Sequence, residues 1–348
     1  MIRDIVMAAA GVSTGPAPIS VPWTFRDSAA APATVQGFYT GSQFVALGCD
    51  WAGSNTIRSS ADGITWSAKT CPIAGFSYAT PVCWSGSQYV IGGSDGSLNA
   101  SLLYTSTDLT TWTLRSSFTS AMSDAPSAIV YNGSSLYVAV SSYWNTNMQV
   151  ATSSDAITWT GNSSLSAASY LFPANNPSAG PGVLGGITLL YFNGMFMVFA
   201  SGGNYATSTN GTTWTQQTGL TSLASAGSYV VAYCVFGTKL VVSFPGGGLY
   251  YTTDGVNWAA NNSAGLNTVT GLVSNGTYLY AHAASGGGLK LTTDITTSTW
   301  APATPAGSLL AMYCMAYNGT RISAMGGGFN SDNNLPLPLG NWSAYTSP

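Results

Sequence analysis

The sequence contains few charged side chains and no glutamate. Charged residues make up 5% of the 348 positions, whereas soluble domains usually carry about one quarter. All eleven acidic residues are aspartates, and the eight basic residues are scattered along the chain without a cluster. The net charge of −3 and the lack of a basic stripe argue against a nucleic-acid-binding surface. We therefore expect no nucleic-acid partner.

Long apolar runs, histidines and paired cysteines are also scarce. No run approaches the ~18 apolar residues of a membrane-spanning helix, so we expect no membrane insertion. His282 is the single histidine, and a triad or metal site would depend on it alone, so we expect a buried or half-buried histidine with a structural role. The cysteines have neither the even number of a disulfide framework nor the close spacing of a zinc site. They are expected to be buried free thiols: Cys49, Cys71, Cys83, Cys234 and Cys314. No metal and no cofactor are expected.

Glycine and aromatic residues are abundant. The 41 glycines, together with many Ser, Thr and Asn residues, favour tight turns over long helices. Trp 11, Tyr 19 and Phe 12 are too many aromatic residues for a disordered polymer. This composition is typical of an all-β protein with many short strands.

A short motif of the form Ser-Ala-Asp-Gly-Ile-Thr-Trp recurs along the chain. Its first copy spans Ser60 to Trp66, and a degenerate last copy lies between Ser331 and Trp342. The acidic or amide residue of each copy can accept hydrogen bonds from the backbone of its own turn, while the tryptophan covers the hairpin. We therefore assign a structural role to the residue at this position in the six readable copies: Asp62, Asp108, Asp155, Asn210, Asp254 and Asp294.

Each motif is preceded by a hairpin signal that contains glycine. The hairpin glycines lie at 41, 86, 133, 194, 237, 276 and 319, so the successive spacings are 45, 47, 61, 43, 39 and 43. Where the turn is Asn-Gly, we expect a two-residue hairpin, because both central residues need positive φ. One unit then contains four strands: 127–131, 136–140, 149–152 and a last strand, 158–160, that carries Trp159. Four short strands per unit are typical of a propeller blade.

The recurring motif resembles the Asp-box, or BNR repeat, of sialidase-type β-propellers, over about Phe38 to Trp300. This resemblance and the seven hairpins predict a seven-bladed β-propeller of four-stranded antiparallel blades with a short N-terminal arm. Residues 1–20 form the arm and 21–348 the propeller. Residues 21–27 are expected to supply the outer strand of the last blade, a place for which the Trp342 segment competes. Residues 162–186 are a long insertion between blades.

The chemistry of the sialidase family is not retained. That family uses three arginines, a Tyr–Glu pair, an aspartate and an Arg-Ile-Pro motif, whereas this chain has no Glu and no Arg-Ile-Pro. Other glycosidases need two carboxyl groups about 5 to 10 Å apart, and Asp50 and Asp95 on neighbouring blades could supply them. We expect no enzyme activity, with a glycoside hydrolase as the alternative.

Binding residues are expected on the face opposite the boxes, where the loops vary most. Aromatic rings beside polar side chains suit sugar rings, which stack on aromatic faces and form hydrogen bonds. The glycan-binding candidates are Trp51, Asp50, Asp95, Tyr143, Trp144, Tyr170 and Phe172.

The short Ala/Gly-rich start resembles that of phage tail-associated virion proteins. We therefore expect a non-catalytic structural or adsorption protein of a bacteriophage particle, assembled in the host cytoplasm and displayed on a tail or fibre. Its arm would contact other virion proteins and its loops a host-surface polysaccharide. The alternatives are a glycoside hydrolase and a secreted lectin-like propeller, and the sequence does not determine the oligomeric state.

Overall fold

The computed structural model describes the strands and many of the connections between them. The described residues are 24–27, 33–49, 55–73, 81–94, 101–141, 148–162, 187–200, 203–221, 223, 230–244, 248–261, 266, 269–283, 288–297, 299–302, 312–326, 329–330, 335–336 and 343–346. Among them, one short helix accompanies thirty strands. No helix among the described residues is long and apolar enough to cross a membrane.

Six blades are built from four consecutive strands each, called A to D in chain order. Strand β1, Thr24–Asp27, precedes them. Blade 1 contains β2 Ala33–Tyr39, β3 Phe44–Cys49, β4 Asn55–Ser60 and β5 Ser67–Lys69. Blade 2 contains β6 Val82–Trp84, β7 Tyr89–Ser94, β8 Ser101–Ser106 and β9 Thr113–Leu114. Helix α1, Ser116–Ala121, follows. Blade 3 contains β10 Ala128–Tyr131, β11 Tyr137–Ser141, β12 Gln149–Ser153 and β13 Thr160–Asn162.

The other three blades repeat this order. Blade 4 contains β14 Thr188–Phe192, β15 Met195–Phe199, β16 Tyr205–Ser208 and β17 Thr215–Gln217. Blade 5 contains β18 Ala232–Phe236, β19 Lys239–Phe244, β20 Gly248–Thr252 and β21 Ala259–Asn261. Blade 6 contains β22 Val269–Ser274, β23 Leu279–Ala283, β24 Gly288–Thr292 and β25 Ala301–Pro302.

The prediction of seven blades is wrong, because the last hairpin unit does not continue into two further consecutive strands. After β26 Met312–Tyr317 and β27 Ile322–Gly326, the chain forms a separate hairpin of β28 Phe329–Asn330 and β29 Leu335–Pro336. The remaining four-stranded sheet has the order β26-β27-β30-β1, where β30 is Ser343–Thr346. We call it the composite sheet. Both chain ends contribute to it, so the structure has six complete blades.

The contacts divide the chain into two compact units, and each is described by itself. Unit 1 includes Cys49–Ile57 and Lys69–Val230, and therefore holds blades 2, 3 and 4. Unit 2 includes Arg3–Gly48, Arg58–Ala68 and Val231–Pro348, and holds blades 5 and 6, the composite sheet and most of blade 1. In unit 1 the A strands β6, β10 and β14 are neighbours, and in unit 2 the A strands β18, β22, β26 and β2 are neighbours.

The core lies between the sheets, so the B strands are buried on both sides. Every residue of β7, β11 and β23 is buried, which explains why these strands are continuously apolar rather than alternating. His282 on β23 is 2% exposed, so the prediction of a buried histidine is confirmed. Cys83, Cys234 and Cys314 are buried free thiols, and Cys71 is partly exposed. The side chain of Cys49 lies outside the described residues.

Two local predictions need correction. The tryptophan of blade 3 does not lie on strand D, because Trp159 precedes β13 at Thr160–Asn162. The box turn extends up to Thr158, whose N–H donates to Asp155 Oδ1 at 2.8 Å. A two-residue turn forms at Asn193-Gly194, where Phe192 pairs with Met195. At Asn132 the turn has five residues, because Tyr131 pairs with Tyr137 and Asn132 Oδ1 accepts the N–H groups of the turn.

Candidate functional site

The binding residues that were predicted from the sequence lie outside the described residues. These are Trp51, Asp50, Asp95, Tyr143, Trp144, Tyr170 and Phe172. Residues 1–20 and 163–186 also lie outside them. The described residues instead define the opposite side, where the A–B turns and the C–D box turns lie. We call this side the turn face.

The aspartate of each box holds its own turn together. In blade 3, Asp155 Oδ1 accepts hydrogen bonds from Ser153 Oγ at 3.0 Å and from the N–H groups of Ile157 and Thr158 at 2.8 Å. The indole Nε1 of Trp159 donates to Ala156 O at 3.1 Å. A short polar side chain that binds the backbone two and three residues ahead is a stable local turn. The sequence folds this way at each box because the acceptor residue stands two and three positions before the backbone N–H groups that it binds.

The same contacts recur in other blades. Asp62, Asp108 and Asp254 each accept one side-chain hydroxyl and two backbone N–H groups through Oδ1. Asn210 makes the same three contacts with its amide oxygen. In blade 6, Asp294 Oδ1 accepts from Thr296 N and Oγ1, while the Thr292 hydroxyl donates to the Asp294 carbonyl. The box position thus needs an oxygen acceptor and does not need a charge.

The box carboxylates are poor candidates for acid catalysis. The N–H group of Thr158 is the main cause that lowers the pKa of Asp155, and the corresponding N–H of Thr65 lowers the pKa of Asp62. The Asn257 side chain lowers the pKa of Asp254 well below its usual range. A general acid needs a raised pKa. These carboxyl groups are ionised at neutral pH and serve as hydrogen-bond acceptors.

A row of three aromatic side chains lies on the turn face of unit 1. Trp84, Tyr131 and Tyr191 lie at the turn ends of the neighbouring A strands β6, β10 and β14. All three are partly exposed. We call these three residues the aromatic row.

Each member of the row is held by an aromatic ring on the adjacent B strand. The centroids are 4.3 Å apart for Trp84 and Tyr89, 4.5 Å for Tyr131 and Tyr137, and 4.9 Å for Tyr191 and Phe196. The three B-strand rings, Tyr89, Tyr137 and Phe196, are 2%, 3% and 0% exposed. Each pair is directly opposite in the strand register, where cross-strand side chains meet. The buried ring therefore fixes the orientation of the partly exposed ring.

The tyrosine hydroxyls of the row are available for a ligand. Among the described residues, neither Tyr131 Oη nor Tyr191 Oη has a hydrogen-bond partner. Burial, with a smaller effect of the Cys83 thiol, raises the pKa of Tyr131, so its hydroxyl stays protonated. A phenol can both donate and accept a hydrogen bond. The row therefore combines flat apolar rings with free polar groups.

Polar side chains surround the row. Gln88, in the turn after β6, donates from Nε2 to Tyr137 Oη at 3.2 Å and to the carbonyl oxygen of Asp155 at 3.0 Å. These contacts join blade 2 to the box turn of blade 3. The exposed side chains of Ser87 and Ser134 lie in the turns beside the row. The surface is thus rigid at its base and polar at its edge.

The equivalent positions in unit 2 do not form a continuous aromatic surface. They are Val235, Ser274, Tyr317 and Tyr39 on β18, β22, β26 and β2. Tyr39 contacts Phe44 in a tilted arrangement with a centroid distance of 4.9 Å, whereas the Tyr317 hydroxyl donates to Gly319 O in its own turn. We therefore take the row in unit 1 as the candidate site.

Sequence reasoning missed this site although its signal is visible. Trp84 and Tyr131 directly precede the turns that contain Gly86 and Gly133, and Tyr191 lies three residues before Gly194. They were not among the predicted binding residues, because the sequence alone does not show which strand ends remain exposed. No group of three or more potential metal ligands occurs among the described residues.

Comparison with known proteins shows the fold and no family. No family model and no curated protein matches the sequence, so the resemblance to the Asp-box family and to phage tail proteins gains no support. YCF48 from Cyanidioschyzon merolae is similar in structure, with a TM-score of 0.61 and 13% identity over 94% of this chain and 98% of that chain. The GH74 xyloglucanase from Xanthomonas campestris is similar with a TM-score of 0.61 and 12% identity, over 92% of this chain and 55% of that chain. The BP39L lectin from Burkholderia pseudomallei is similar with a TM-score of 0.57 and 15% identity, over 91% of this chain and 100% of that chain. With six complete four-stranded blades, this chain has the fold of a β-propeller.

Proposed function

We propose that this protein is a non-catalytic glycan-binding β-propeller and that the aromatic row is its binding surface. Three fixed, partly exposed rings on neighbouring strands carry the proposal. Sugar rings present apolar C–H faces that pack on aromatic rings, and their hydroxyls need polar partners at the edge. Tyr131 Oη, Tyr191 Oη and the neighbouring serines supply such partners.

Two structural neighbours support this chemistry. BP39L is described as a lectin and the GH74 protein as a xyloglucanase, so propellers of similar fold include carbohydrate-binding proteins and carbohydrate-cleaving enzymes. At 15% and 12% identity they carry no residue roles to this chain. The assignment to a glycan therefore depends on the aromatic row itself.

We propose a non-catalytic protein because the box carboxylates are engaged in hydrogen bonds within their own turns. Glycoside hydrolysis needs two carboxyl groups placed across the scissile bond. The box aspartates accept hydrogen bonds from their own turns and have lowered pKa values. Asp50 and Asp95 lie outside the described residues, and the glycosidase alternative remains a prediction. The place in a phage particle likewise remains a prediction.

Affinity electrophoresis in gels that contain single neutral polysaccharides tests the binding surface. We expect at least one polysaccharide to retard the wild-type protein, and Tyr131→Ala to weaken that retardation at least about fivefold, since a central aromatic contact is worth more than about 1 kcal/mol. Tyr104→Ala is the matched control, because Tyr104 is a partly exposed tyrosine on β8 of blade 2, away from the turn end. Equal losses in both variants, or none in either, would reject the row as the site.

A second measurement separates binding from cleavage. The polysaccharide that retards the protein is incubated with it in solution, and newly formed reducing ends are measured. We expect none above the buffer control. Release that disappears in the Asp50→Asn, Asp95→Asn double variant would instead establish the glycosidase alternative.

A further inference from the structure

The turn face of unit 1 carries negative charge near the aromatic row and little positive charge. The turns after β6, β10 and β14 span 85–88, 132–136 and 193–194, and their sequences contain no Lys or Arg. Within 69–230 the sequence has two basic residues, Lys69 and Arg115. Arg115 donates from Nε and Nη2 to Thr105 Oγ1 on its own blade, at 2.9 and 2.7 Å. A negatively charged ligand would therefore meet no basic residue in these turns.

Asp155 brings a carboxylate close to the row. Gln88 Nε2 donates to both the Asp155 carbonyl oxygen and Tyr137 Oη, and the Tyr137 ring contacts the Tyr131 ring at a tilt of 36°. The side chain of Asp155 is exposed. Its Oδ1 is used by the box turn, while Oδ2 has no hydrogen-bond partner among the described residues. One carboxylate oxygen therefore faces solvent beside the candidate site.

We infer that Asp155 makes the aromatic row selective for uncharged glycans over glycans that carry carboxylate, sulfate or phosphate groups. This inference depends on the proposed function. Two like charges within about 8 Å, one Debye length at physiological ionic strength, are only partly screened and repel each other. A neutral sugar is not repelled by the Asp155 carboxylate. The turn face can therefore discriminate between glycans by their charge without a specific contact.

The chain itself provides the variant that tests this role. Asn210 occupies the same box position in blade 4, and its Oδ1 accepts from Ser208 Oγ, Thr212 N and Thr213 N at 3.1, 2.9 and 2.8 Å. The corresponding contacts of Asp155 are 3.0, 2.8 and 2.8 Å. Asp155→Asn therefore removes the charge and keeps the hydrogen bonds of the turn. Asp108→Asn serves as control, because it removes the same charge from the box of blade 2, where Asp108 Oδ1 accepts the same three contacts at 3.0, 2.8 and 2.8 Å.

The experiment compares a neutral polysaccharide with its own oxidised form. The neutral polymer that binds best in the affinity gels is oxidised partly at C6, which converts primary hydroxyls to carboxylates. Binding of both forms is measured by titration calorimetry in 150 mM salt. For the wild type we expect the oxidised form to bind more weakly, and we expect Asp155→Asn to narrow the ratio of the two affinities about two- to fivefold. The affinity for the neutral form should not change.

Several outcomes would overturn the inference. Equal affinity of the wild type for both forms would contradict charge selection. If the ratio of the two affinities is unchanged in Asp155→Asn, or changes equally in Asp108→Asn, the charge of Asp155 is not the determinant. Loss of neutral binding in Asp155→Asn, with an unchanged melting temperature, would make the residue a direct ligand. If no neutral polymer binds at all, the proposed function fails first and the inference fails with it.

Discussion

Protonation of the single histidine gives the protein a defined acid sensitivity. His282 is 2% exposed, and its Nδ1 lies 3.0 Å from Thr270 Oγ1. Burial lowers the pKa of His282 from 6.5 to about 4. The unfolded chain therefore binds a proton near pH 6.5, whereas the folded protein resists protonation down to about pH 4. The stabilising contribution is complete above pH 6.5 and is lost progressively as the pH falls from 6.5 to about 4.

The size of the effect follows from the two pKa values. A difference of about 2.5 units corresponds to about 3 kcal/mol when fully expressed, and lowering the pH from 7 to 5 should cost about 2 kcal/mol of unfolding free energy. The chain has no other histidine and no glutamate. Aspartates titrate near pH 4 and below, so they contribute little above pH 5. Between pH 5 and 7, the change in unfolding free energy is therefore due mainly to His282.

Urea unfolding at pH 7, 6 and 5 measures this contribution directly. We expect the wild type to lose about 2 kcal/mol across the series, and His282→Gln to lose much less, because that variant has no imidazole to protonate. The single histidine also gives a single Hε1 resonance in NMR, which should titrate near pH 4. A wild-type stability that does not change with pH, or a titration midpoint near 6.5, would show that burial does not lower the pKa of His282.

Two substitutions test the contact between blades 5 and 6 and the contact between helix α1 and strand β13 of blade 3. Asn261→Ala should destabilise unit 2 by about 2 to 3 kcal/mol, because Asn261 Nδ2 donates to Ile295 O at 2.6 Å and to Thr297 O at 2.7 Å and both carbonyls would lose this donor. Gly161→Ala should cost about 1 to 3 kcal/mol, because its Cβ would lie 2.3 Å from the backbone oxygen of Ala121. Both are measured by thermal and urea unfolding.

Matched controls accompany both substitutions. Asn162→Ala removes a longer bond at a partly exposed position, from Asn162 Nδ2 to Thr212 O at 3.1 Å, and should cost less than Asn261→Ala, because Asn261 is 5% exposed. Thr160→Ala changes an exposed neighbour of Gly161 and should be nearly neutral. An equal effect of the two asparagine variants, or an unchanged stability of Gly161→Ala, would show that these contacts do not contribute as described.

The blade pattern was largely readable because it depends on local signals. The strands predicted at 127–131, 136–140 and 149–152 were found at Ala128–Tyr131, Tyr137–Ser141 and Gln149–Ser153. A box turn is fixed by contacts within a few residues, so its sequence motif is enough to place it. Strand D was misplaced by two residues, because the motif does not show that the turn extends to the tryptophan.

The features that depend on distant contacts were not predictable in the same way. Residues 21–27 and the Trp342 segment were predicted to compete for one outer strand, whereas in the composite sheet Thr24–Asp27 and Ser343–Thr346 are both strands and pair with each other. Helix α1 was also missed, since Ser116–Ala121 has no apolar periodicity beyond the buried Phe118. The aromatic row was misjudged for a related reason. Exposure of Tyr131 and burial of Tyr137 are set by neighbouring blades, and both residues have the same side chain.

Footprinting with hydroxyl radicals tests the central claim most directly, because it reports which aromatic side chains a bound glycan covers. The protein is oxidised with and without a saturating neutral polysaccharide, and modification is read by mass spectrometry. We expect protection of Trp84, Tyr131 and Tyr191 on the turn face. Protection of Trp51 and Trp144 instead, with the row unprotected, would contradict it and place binding on the loops favoured by the sequence.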